Sequence, residues 1–393
     1  MYTRKYLLPF AALFLLSGCW NVVEIEDVAF VTAIGVDYDQ EAEQYLLTLQ
    51  VINPATVAET ESGIAAADRL PVTNFVSTGS SLLEAVRSAS KRIPREPFLG
   101  HVQHVILSED IARDHLVEVL DYIRRYHEIR LTTKVFIAKN SSAQTVVDTV
   151  QALELIPARA VRGKTQTNHS LWGSIIEVEF IDIISAYKSK GREIFINGVI
   201  LEGNKEKGKG KENYEQTQMA TTIVVDQIAL FRDEKLEQWI PSDITRGLSQ
   251  ILNEIDSTIV VIPIIDSKEQ VSIELIHSNT SITTEIKEQR PIINVHVYQV
   301  GNIGEASVKI DAESIDEISQ LEDDWSNKTT EDLQSMITLA QQAGSDVLGF
   351  GDIVHIQHPS AWKTYEENWA DHFQQCEVNV QVESVIRRSG MRF

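Results

Sequence analysis

The stretch Val28-Ala-Phe-Val-Thr-Ala-Ile-Gly-Val-Asp37 is almost continuously apolar and rich in β-branched residues. That pattern predicts a buried β-strand. A second apolar run, Tyr45-Leu-Leu-Thr-Leu-Gln-Val-Ile-Asn53, follows after a polar region at 38–44. Two such runs joined by a short polar segment predict an antiparallel strand pair, and we expect the fold to be built outward from this pair.

Helical and strand patterns alternate downstream of the pair. Ser81-Leu-Leu-Glu84 is a capping-box pattern that opens a helix to about Ile93. The other elements predicted in this part are two core strands and two helices: Val102–Leu107, Thr133–Ala138, Leu116–Tyr126 and a helix opened by Ser141.

The middle of the chain contains a Gly/Lys run, Gly203-Asn-Lys-Glu-Lys-Gly-Lys-Gly-Lys-Glu212. It has no apolar residues to bury, which predicts a mobile, solvated loop. A helix-like segment, Leu171–Tyr187, and a strand, Phe195–Leu201, precede it. The segments that follow it predict a small domain of two strands around one helix: Met219–Phe231, Ser242–Glu254 and Thr258–Ile265.

The C-terminal part is predicted to contain three strands, then helices, then a closing strand. These elements are Val271–His277, Ser281–Lys287, Ile292–Gln299, Glu313–Trp325, Thr330–Ala343 ending at Gly344, and Cys376–Val385. The predicted fold class is therefore α+β, with mixed and antiparallel sheets and packed helices.

The amino terminus has the features of an export signal. The basic pair Arg4-Lys5 precedes an apolar run at residues 6–16, as in a secretory signal peptide. This run of 11 residues is shorter than the roughly 20 that span a bilayer as a helix. It ends in Leu16-Ser17-Gly18-Cys19, the pattern of a bacterial lipobox, so we expect Cys19 to be the lipid-attachment residue. Two acyl chains hold a protein stably on a bilayer.

These observations predict a division of the chain into five parts. They are a signal peptide at 1–18, a lipidated tether at 19–26, an N-terminal α+β domain at 27–203, a small middle domain at 204–268 and a C-terminal α+β domain at 269–393. At about 100 to 200 residues per domain, two or three domains are expected for a chain of this length, which fits the three predicted folded domains.

The formal net charge of the chain is -22, and it becomes -24 when residues 1–18, with their two basic side chains, are removed. Nucleic-acid binding depends on Lys and Arg at phosphates, so nucleic acid is excluded as a partner. The same acidity argues against electrostatic adhesion to anionic lipid. The only cysteines are Cys19 and Cys376, which leaves neither an internal disulfide nor a zinc framework once Cys19 is acylated.

The sequence shows no catalytic, cofactor-binding or metal-binding pattern: it lacks Gly-x-Gly-x-x-Gly, Walker, Gly-x-Ser-x-Gly and His-Glu-x-x-His motifs. The pairs His101 with His104 and His355 with His358 lack the further ligands of a metal site. The run 322–324 is acidic but has no calcium-loop spacing, and is expected on a solvated helix face.

Two further features have a structural interpretation. Cys376, at the start of a strand, is expected to be an inert buried thiol. Trp362, Trp369 and Phe373 are spaced to form an aromatic stripe on one helix face. Such a stripe indicates core packing, and a groove for a partner is the alternative.

Several short motifs, taken in order, resemble the Ger(x)C family, the lipoprotein C subunits of germinant receptors in endospore-forming bacteria. The resemblance extends over essentially the full chain, and its motifs are Gly18-Cys-Trp20, Glu24-Ile-Glu-Asp27, Gly35-Val-Asp37, Gln50-Val-Ile-Asn-Pro54, Arg95-Glu-Pro-Phe-Leu-Gly-His-Val-Gln-His104, Asp346-Val-Leu-Gly-Phe-Gly351 and Trp362-Lys363 before Trp369. The start Cys19-Trp20-Asn21 departs slightly from the Cys-Trp-Asp common in that family.

The resemblance implies a three-domain α+β ectodomain on the outer face of the spore inner membrane. It implies two partners, an A subunit and a multi-spanning B subunit similar to amino-acid transporters. One residue role carries over, lipid attachment at Cys19, and no cofactor or catalytic residue is implied. A transporter-like B subunit would offer a site for small polar nutrients, so direct small-molecule binding by this chain is disfavoured.

Two other classes of function fit the sequence less well. A substrate-binding lipoprotein of a membrane transporter is the alternative hypothesis, but it requires two similar α/β lobes around a cleft, and the predicted parts are unequal and rich in strands. A surface hydrolase is disfavoured because the nucleophile patterns are missing. The sequence therefore predicts a non-enzymatic subunit needed for receptor assembly and signalling.

Overall fold

The computed structural model of the chain describes residues 24–61, 70–126, 128–154, 156–213, 215–264, 269–311 and 314–388. Helices and strands are mixed along the whole of this part, which confirms the α+β class. The predicted signal peptide and Cys19 lie outside the described residues.

The strands are β1 (Val28–Asp39), β2 (Gln44–Ile52), β3 (Val72–Gly79), β4 (Glu96–Phe98), β5 (His104–Ser108), β6 (Lys134–Lys139), β7 (Phe195–Gly203), β8 (Thr221–Arg232), β9 (Lys235–Ile240), β10 (Thr258–Pro263), β11 (Gln270–Lys287), β12 (Arg290–Ala306) and β13 (Glu377–Arg388).

The α-helices are α1 (Pro54–Glu61), α2 (Leu82–Ser88), α3 (Leu116–Arg125), α4 (Ala143–Asp148), α5 (Pro157–Leu171), α6 (Phe180–Lys188), α7 (Ser242–Ile251), α8 (Ile315–Ala343), α9 (Phe350–Gln357), α10 (Pro359–Tyr365) and α11 (Trp369–Gln375). None of the described helices is both long enough and apolar enough to cross a bilayer.

The first sheet has the strand order β3-β2-β1-β5-β6-β7-β8-β9, with β4 beside the start of β1. Its centre is parallel, from β1 through β5 and β6 to β7. Antiparallel strands flank this centre on both sides. The expected antiparallel pair of β1 and β2 is confirmed, with Val36 opposite Leu47.

Helices cover both faces of the first sheet. One face buries apolar side chains of α2, α3 and α6, and the other buries side chains of α4 and α5. This explains why β1 and β5 are almost continuously buried, since a strand with both faces covered is apolar throughout.

The second sheet has the order β10-β11-β12-β13, in which only the β12–β13 pair is parallel. Its inner face packs against α8 to α11, and these helices also contact apolar residues of β8 and β9 from the first sheet. A single core therefore joins the two sheets, and α7 contributes Leu248 and Ile251 to it.

Both internal boundaries of the predicted domain division fall between strands that pair in the structure. β7 pairs with β8 across residue 204, and β10 pairs with β11 across residue 268. The sheets group the chain into 28–240 and 258–388. The division into three domains stays a prediction.

Two helix predictions were wrong in extent. The segment Leu171–Tyr187 is not one helix, because α5 ends at Leu171, Gly173 adopts a left-handed φ of 68° and α6 begins at Phe180. Conversely, one helix, α8, replaces the two predicted around residues 326–329. It continues because Trp325 and Thr329 are buried against the second sheet, and tertiary packing outweighs the polar local sequence. Gly344, with φ 64°, ends it as predicted.

The Gly/Lys run is not the mobile loop that its composition predicts. It forms short 3-10 helices at Lys205–Lys209 and Lys211–Asn213, and the side chain of Asn213 is fully buried. Its amide Nδ2 donates to the carbonyls of Val150 (2.8 Å) and Thr221 (2.9 Å), and its Oδ1 accepts from the Thr221 backbone N–H (2.8 Å). One polar side chain thus holds the segment against the sheet.

Asn213→Ala is expected to destabilise the protein by about 3 kcal/mol, because it removes three buried hydrogen bonds to backbone groups at about 1 kcal/mol each. The exposed Lys207, in the same segment, provides the control, and Lys207→Ala should change the free energy of unfolding by less than about 0.5 kcal/mol. Denaturant titration of both variants measures the difference. Equal stabilities would mean that the segment is as mobile as its sequence suggested.

Candidate functional site

Gly35 and Asp37, from one of the N-terminal motifs, position helix α4 against strand β1. Asp37, at the end of β1, accepts hydrogen bonds from the backbone N–H groups of Ala143 (2.7 Å) and Gln144 (2.9 Å), at the start of α4. A carboxylate there satisfies free N–H groups of the helix end. Burial raises the pKa of Asp37. Gly35 packs on the same helix, where a Cβ would lie 3.1 Å from the Ala143 carbonyl carbon.

Gln50 and Asn53 tie β2 to neighbouring segments. Gln50 is buried, and its Nε2 donates to the Val147 carbonyl at 3.0 Å. Asn53 donates to the Leu70 carbonyl at 2.8 Å. Both residues therefore act as links between β2 and segments distant in sequence.

The segment 95–104 holds the entry of the chain into the first sheet. β4 pairs in parallel with β1, so that Phe98 lies opposite Phe30. The rings of Phe30, Phe98 and His101 form a cluster with centroid separations of 5.3 to 6.1 Å. His104 is buried in β5, and burial lowers its pKa to about 4. The two histidines thus serve packing, on separate elements.

A cleft of about 960 Å³ lies between α1, β3 and the end of α4. Asn53 and Arg95, from two separate motifs, line it together with Asn74 and Asp148. Asn74 donates to the Asp148 carboxylate at 2.8 Å. The cleft therefore brings together motif residues that lie over 40 positions apart in the sequence.

The C-terminal motif is organised around Asp346, which is fully buried. Its carboxylate accepts hydrogen bonds from the backbone N–H groups of Phe350 (3.1 Å) and Gly351 (2.8 Å) and from Trp369 Nε1 (2.7 Å). Burial nevertheless raises the pKa of Asp346 to about 6. The carboxylate therefore joins the start of α9 to α11.

The same motif forms the junction between the two sheets, which we define as the contacts of residues 189–193 with residues 344–352. The Asp346 carbonyl accepts from the Glu193 N–H at 3.0 Å, and the Gly191 carbonyl accepts from the Asp352 N–H at 3.2 Å. Ser189 Oγ donates to Asp352 Oδ1 at 2.6 Å. Backbone bonds of this kind hold the junction in one arrangement.

Two glycines allow the close approach at the junction. A Cβ on Gly351 would lie 2.5 Å from Trp369 Nε1 and 2.6 Å from the Cα of Gly191, and a Cβ on Gly191 would lie 2.6 Å from the carbonyl carbon of Gly351. Neither position accommodates a side chain. The sequence does not single out Gly191, because a lone glycine between Lys190 and Arg192 has no distinguishing pattern.

A polar cleft of about 360 Å³ opens beside the junction. Glu193 lines it with Asp233 and Glu234. Burial raises the pKa of Glu193 from 4.5 to about 7, and these neighbouring carboxylates add to the rise. Glu193 is a second residue that sequence patterns did not reveal.

His355, His358 and Cys376 also have structural roles. His355 stacks on Trp362 at 5.5 Å, and His358 Nε2 lies 2.8 Å from the Thr284 carbonyl. Burial raises the pKa of the Cys376 thiol to about 12, so it stays protonated and unreactive.

The aromatic stripe is core: Trp362, Trp369 and Phe373 are all buried. Of the acidic run, Asp323 is exposed on α8, whereas Glu322 and Asp324 are half-buried. Glu322 accepts a hydrogen bond from the Ile386 backbone N–H at 2.8 Å, so the expected solvated face is confirmed only for Asp323. Over the described part of the chain, no three His, Cys, Asp or Glu side chains are grouped to hold a metal ion.

Comparisons with known proteins match both halves of the chain. Residues 21–201 match the family described as "Spore germination protein N-terminal domain", and residues 226–390 match "Spore germination B3/ GerAC like, C-terminal". The chain is 27% identical to "Spore germination protein KC" of Bacillus subtilis (strain 168), over 99% of this chain and 97% of that protein. It is 25% identical to "Spore germination protein B3" of the same organism, over 98% of each chain.

A solved structure shares the fold. The crystal structure of the GerBC protein superposes with a TM-score of 0.56 at 17% sequence identity, covering 93% of this chain and 99% of that one. The similarity therefore includes both sheets and the helices between them.

Gly351→Ala is expected to destabilise the protein by about 2 kcal/mol, because the added methyl group overlaps Trp369 and Gly191. Gly163, inside α5, is the matched control, since a Cβ there meets nothing within 4 Å. Gly163→Ala should stabilise by up to about 1 kcal/mol through helix propensity. Thermal melts of the two variants give the comparison, and a shift of the same sign in both would contradict the close packing at the junction.

The two junction carboxyls predict a pH dependence of stability. Their folded pKa values, about 7 for Glu193 and about 6 for Asp346, are raised by burial. Their contribution is therefore fully present below the unfolded pKa of about 4, and it is lost as the pH rises from there to the folded pKa values of 6 to 7. Melting temperatures measured from pH 5 to 8 should fall up to about pH 7 and then level off, and Glu193→Gln should flatten the fall. The exposed Glu202 is the control, since Glu202→Gln should leave the slope unchanged; an unaltered slope in Glu193→Gln would refute the assignment.

Proposed function

The chain belongs to the Ger(x)C family of spore germination proteins, and we propose that it is a lipid-anchored, non-enzymatic subunit of a nutrient germinant receptor. In this proposal it supports the assembly and signalling of a complex with an A and a B subunit. The observation that carries the proposal is the end-to-end match to spore germination proteins, over 99% of this chain and 97% of its relative KC.

The roles of the motif residues support a non-enzymatic function. Asp37, Gln50, Asp346 and Gly351 each hold one element of the fold against another. Such residues set the relative positions of helices and strands and so define the shape of the protein surface. This role fits a subunit that acts by contacting other proteins.

The membrane anchor in this proposal is Cys19. It lies outside the described residues, five positions before Glu24, where the described chain begins. Cys19 closes the lipobox Leu16-Ser17-Gly18-Cys19. Its acylation would place the protein on the outer face of the spore inner membrane, beside membrane-embedded A and B subunits.

The substrate-binding lipoprotein is less well supported. Its two lobes would be similar α/β units, whereas a nine-stranded mixed sheet and a four-stranded sheet form the described part of this chain. The relatives reported above are named as germination proteins. We therefore assign nutrient recognition to the B subunit, and direct binding by this chain remains disfavoured.

Cys19→Ala is expected to abolish incorporation of a fatty-acid analogue and to reduce recovery of the A and B subunits with the protein from detergent-solubilised spore membranes. Cys376 is the other cysteine of the chain, so Cys376→Ala provides the matched control and should retain the label. Equal labelling of Cys19→Ala and the wild type would contradict the anchor. Recovery of the wild type without either subunit would contradict the receptor assignment.

A further inference from the structure

The topology of the first sheet brings several chain segments to one end. β1, β5, β6 and β7 are parallel, so their first residues lie at the same end of the sheet. β4 lies beside the first residues of β1. The described chain also begins here, at Glu24. We call this the tether end, and it comprises residues 24–30, 87–101, 121–134 and 177–182, apart from residue 127.

Large apolar side chains are exposed at the tether end. The exposed fractions are 78% for Ile25, 38% for Phe98, 41% for Leu131 and 44% for Ile181. Hydrogen bonds connect the segments that carry them, since the Leu131 carbonyl accepts from the Ile181 N–H at 2.9 Å. Apolar residues grouped at one end of a protein indicate an interaction surface.

The charge of the tether end differs from that of the chain. Eight basic and nine acidic side chains give it a net charge of -1, whereas the chain carries -22. The basic ones are Arg87, Lys91, Arg92, Arg95, Arg124, Arg125, Arg130 and Lys134. Lys134 is buried and paired with Glu177, and Arg124 and Arg125 pair with Asp121. Anionic headgroups would meet little repulsion at this end, and the exposed guanidinium groups of Arg92, Arg95 and Arg130 can pair with lipid phosphates.

The length of the tether decides which end of the sheet faces the membrane. The five residues from Cys19 to Glu24 span at most about 17 Å when fully extended. β1 has 12 residues and places the opposite end of the sheet about 40 Å further away. Leu83 and Val117 are exposed to 49% and 39% near that opposite end, where Gly79 pairs with Tyr45 and the ring of His115 contacts that of Tyr38.

From this geometry we propose that the tether end rests on the bilayer surface, with Phe98, Leu131 and Ile25 inserted among the lipid headgroups. The inference rests on the proposed anchor at Cys19. It revises the expectation from net charge alone that the protein avoids anionic lipid, because the acidic charge lies mainly away from this end. Contact with the bilayer then fixes the orientation of the protein, in addition to its location at the membrane.

The test uses the full-length acylated protein in vesicles of phosphatidylcholine and phosphatidylglycerol that contain a lipid-borne quencher. Phe98→Cys and Leu131→Cys carry an environment-sensitive fluorophore, and Leu83→Cys and Val117→Cys are the matched controls. The acylated sulfur of Cys19 and the buried thiol of Cys376 do not react, and the wild type serves as the labelling blank. Quenching at positions 98 and 131 is expected to be several-fold stronger than at positions 83 and 117.

Equal quenching at all four positions would overturn the proposal. Fluorophores at 98 and 131 that become buried only when the A and B subunits are added, without lipid quenching, would assign the surface to a protein partner and also overturn it.

A second preparation separates failure of the surface from failure of the anchor. In it, a hexahistidine tag replaces residues 1–18, Cys19→Ser removes the acylation site, and vesicles with nickel-chelating lipid supply the tether. If the wild type proves unacylated but this preparation shows the same preference for positions 98 and 131, the surface stands and the anchor falls. If no preference appears, the surface proposal fails whatever the state of Cys19.

Discussion

The buried carboxylate of Asp346 is the group on which the arrangement of the two sheets depends. Two backbone N–H groups at the start of α9 and the indole N–H of Trp369 all donate to this carboxylate. The backbone carbonyl of Asp346 accepts from the backbone N–H of Glu193. A buried acceptor with charge-assisted hydrogen bonds is costly to leave unpaired. Each of the four groups is therefore held in one position, and the helices between the sheets are held with them.

The close approach of Gly191 and Gly351 makes this network possible. Backbones at this distance exclude water and place the Asp352 N–H against the Gly191 carbonyl. Burial disfavours the charged form of a carboxyl, which is why the pKa values of Asp346 and Glu193 are raised although hydrogen bonds oppose the rise. At Glu193 the neighbouring carboxylates Asp233 and Glu234 add to the rise.

The junction and the tether end are related through the parallel strands. Residues 189–193 lead directly into β7, whose first residues lie at the same end of the sheet as those of β1 and β6. The C-terminal helices are therefore joined to the first sheet near the end at which the proposed tether would enter. A protein held at that end would keep the second sheet in a defined position relative to the proposed anchor.

The sequence by itself determined the local elements. Apolar runs predicted β1, β2, β5 and β6, and Ser81 and Gly344 marked helix ends, because periodicity and capping depend on neighbouring residues. The proposed anchor at Cys19 likewise rests on a local pattern, the lipobox. Only the tertiary structure decided the roles of Asp346, Gly191 and Asn213, the continuity of α8 through residues 326–329 and the order of the strands. These depend on partners far away in the sequence: the Asp346 carboxylate reaches Trp369, 23 positions away, and Asn213 reaches Val150, 63 positions away. A local pattern contains no information on which distant backbone group will complete a hydrogen bond, since that is settled only when the sheets and helices pack.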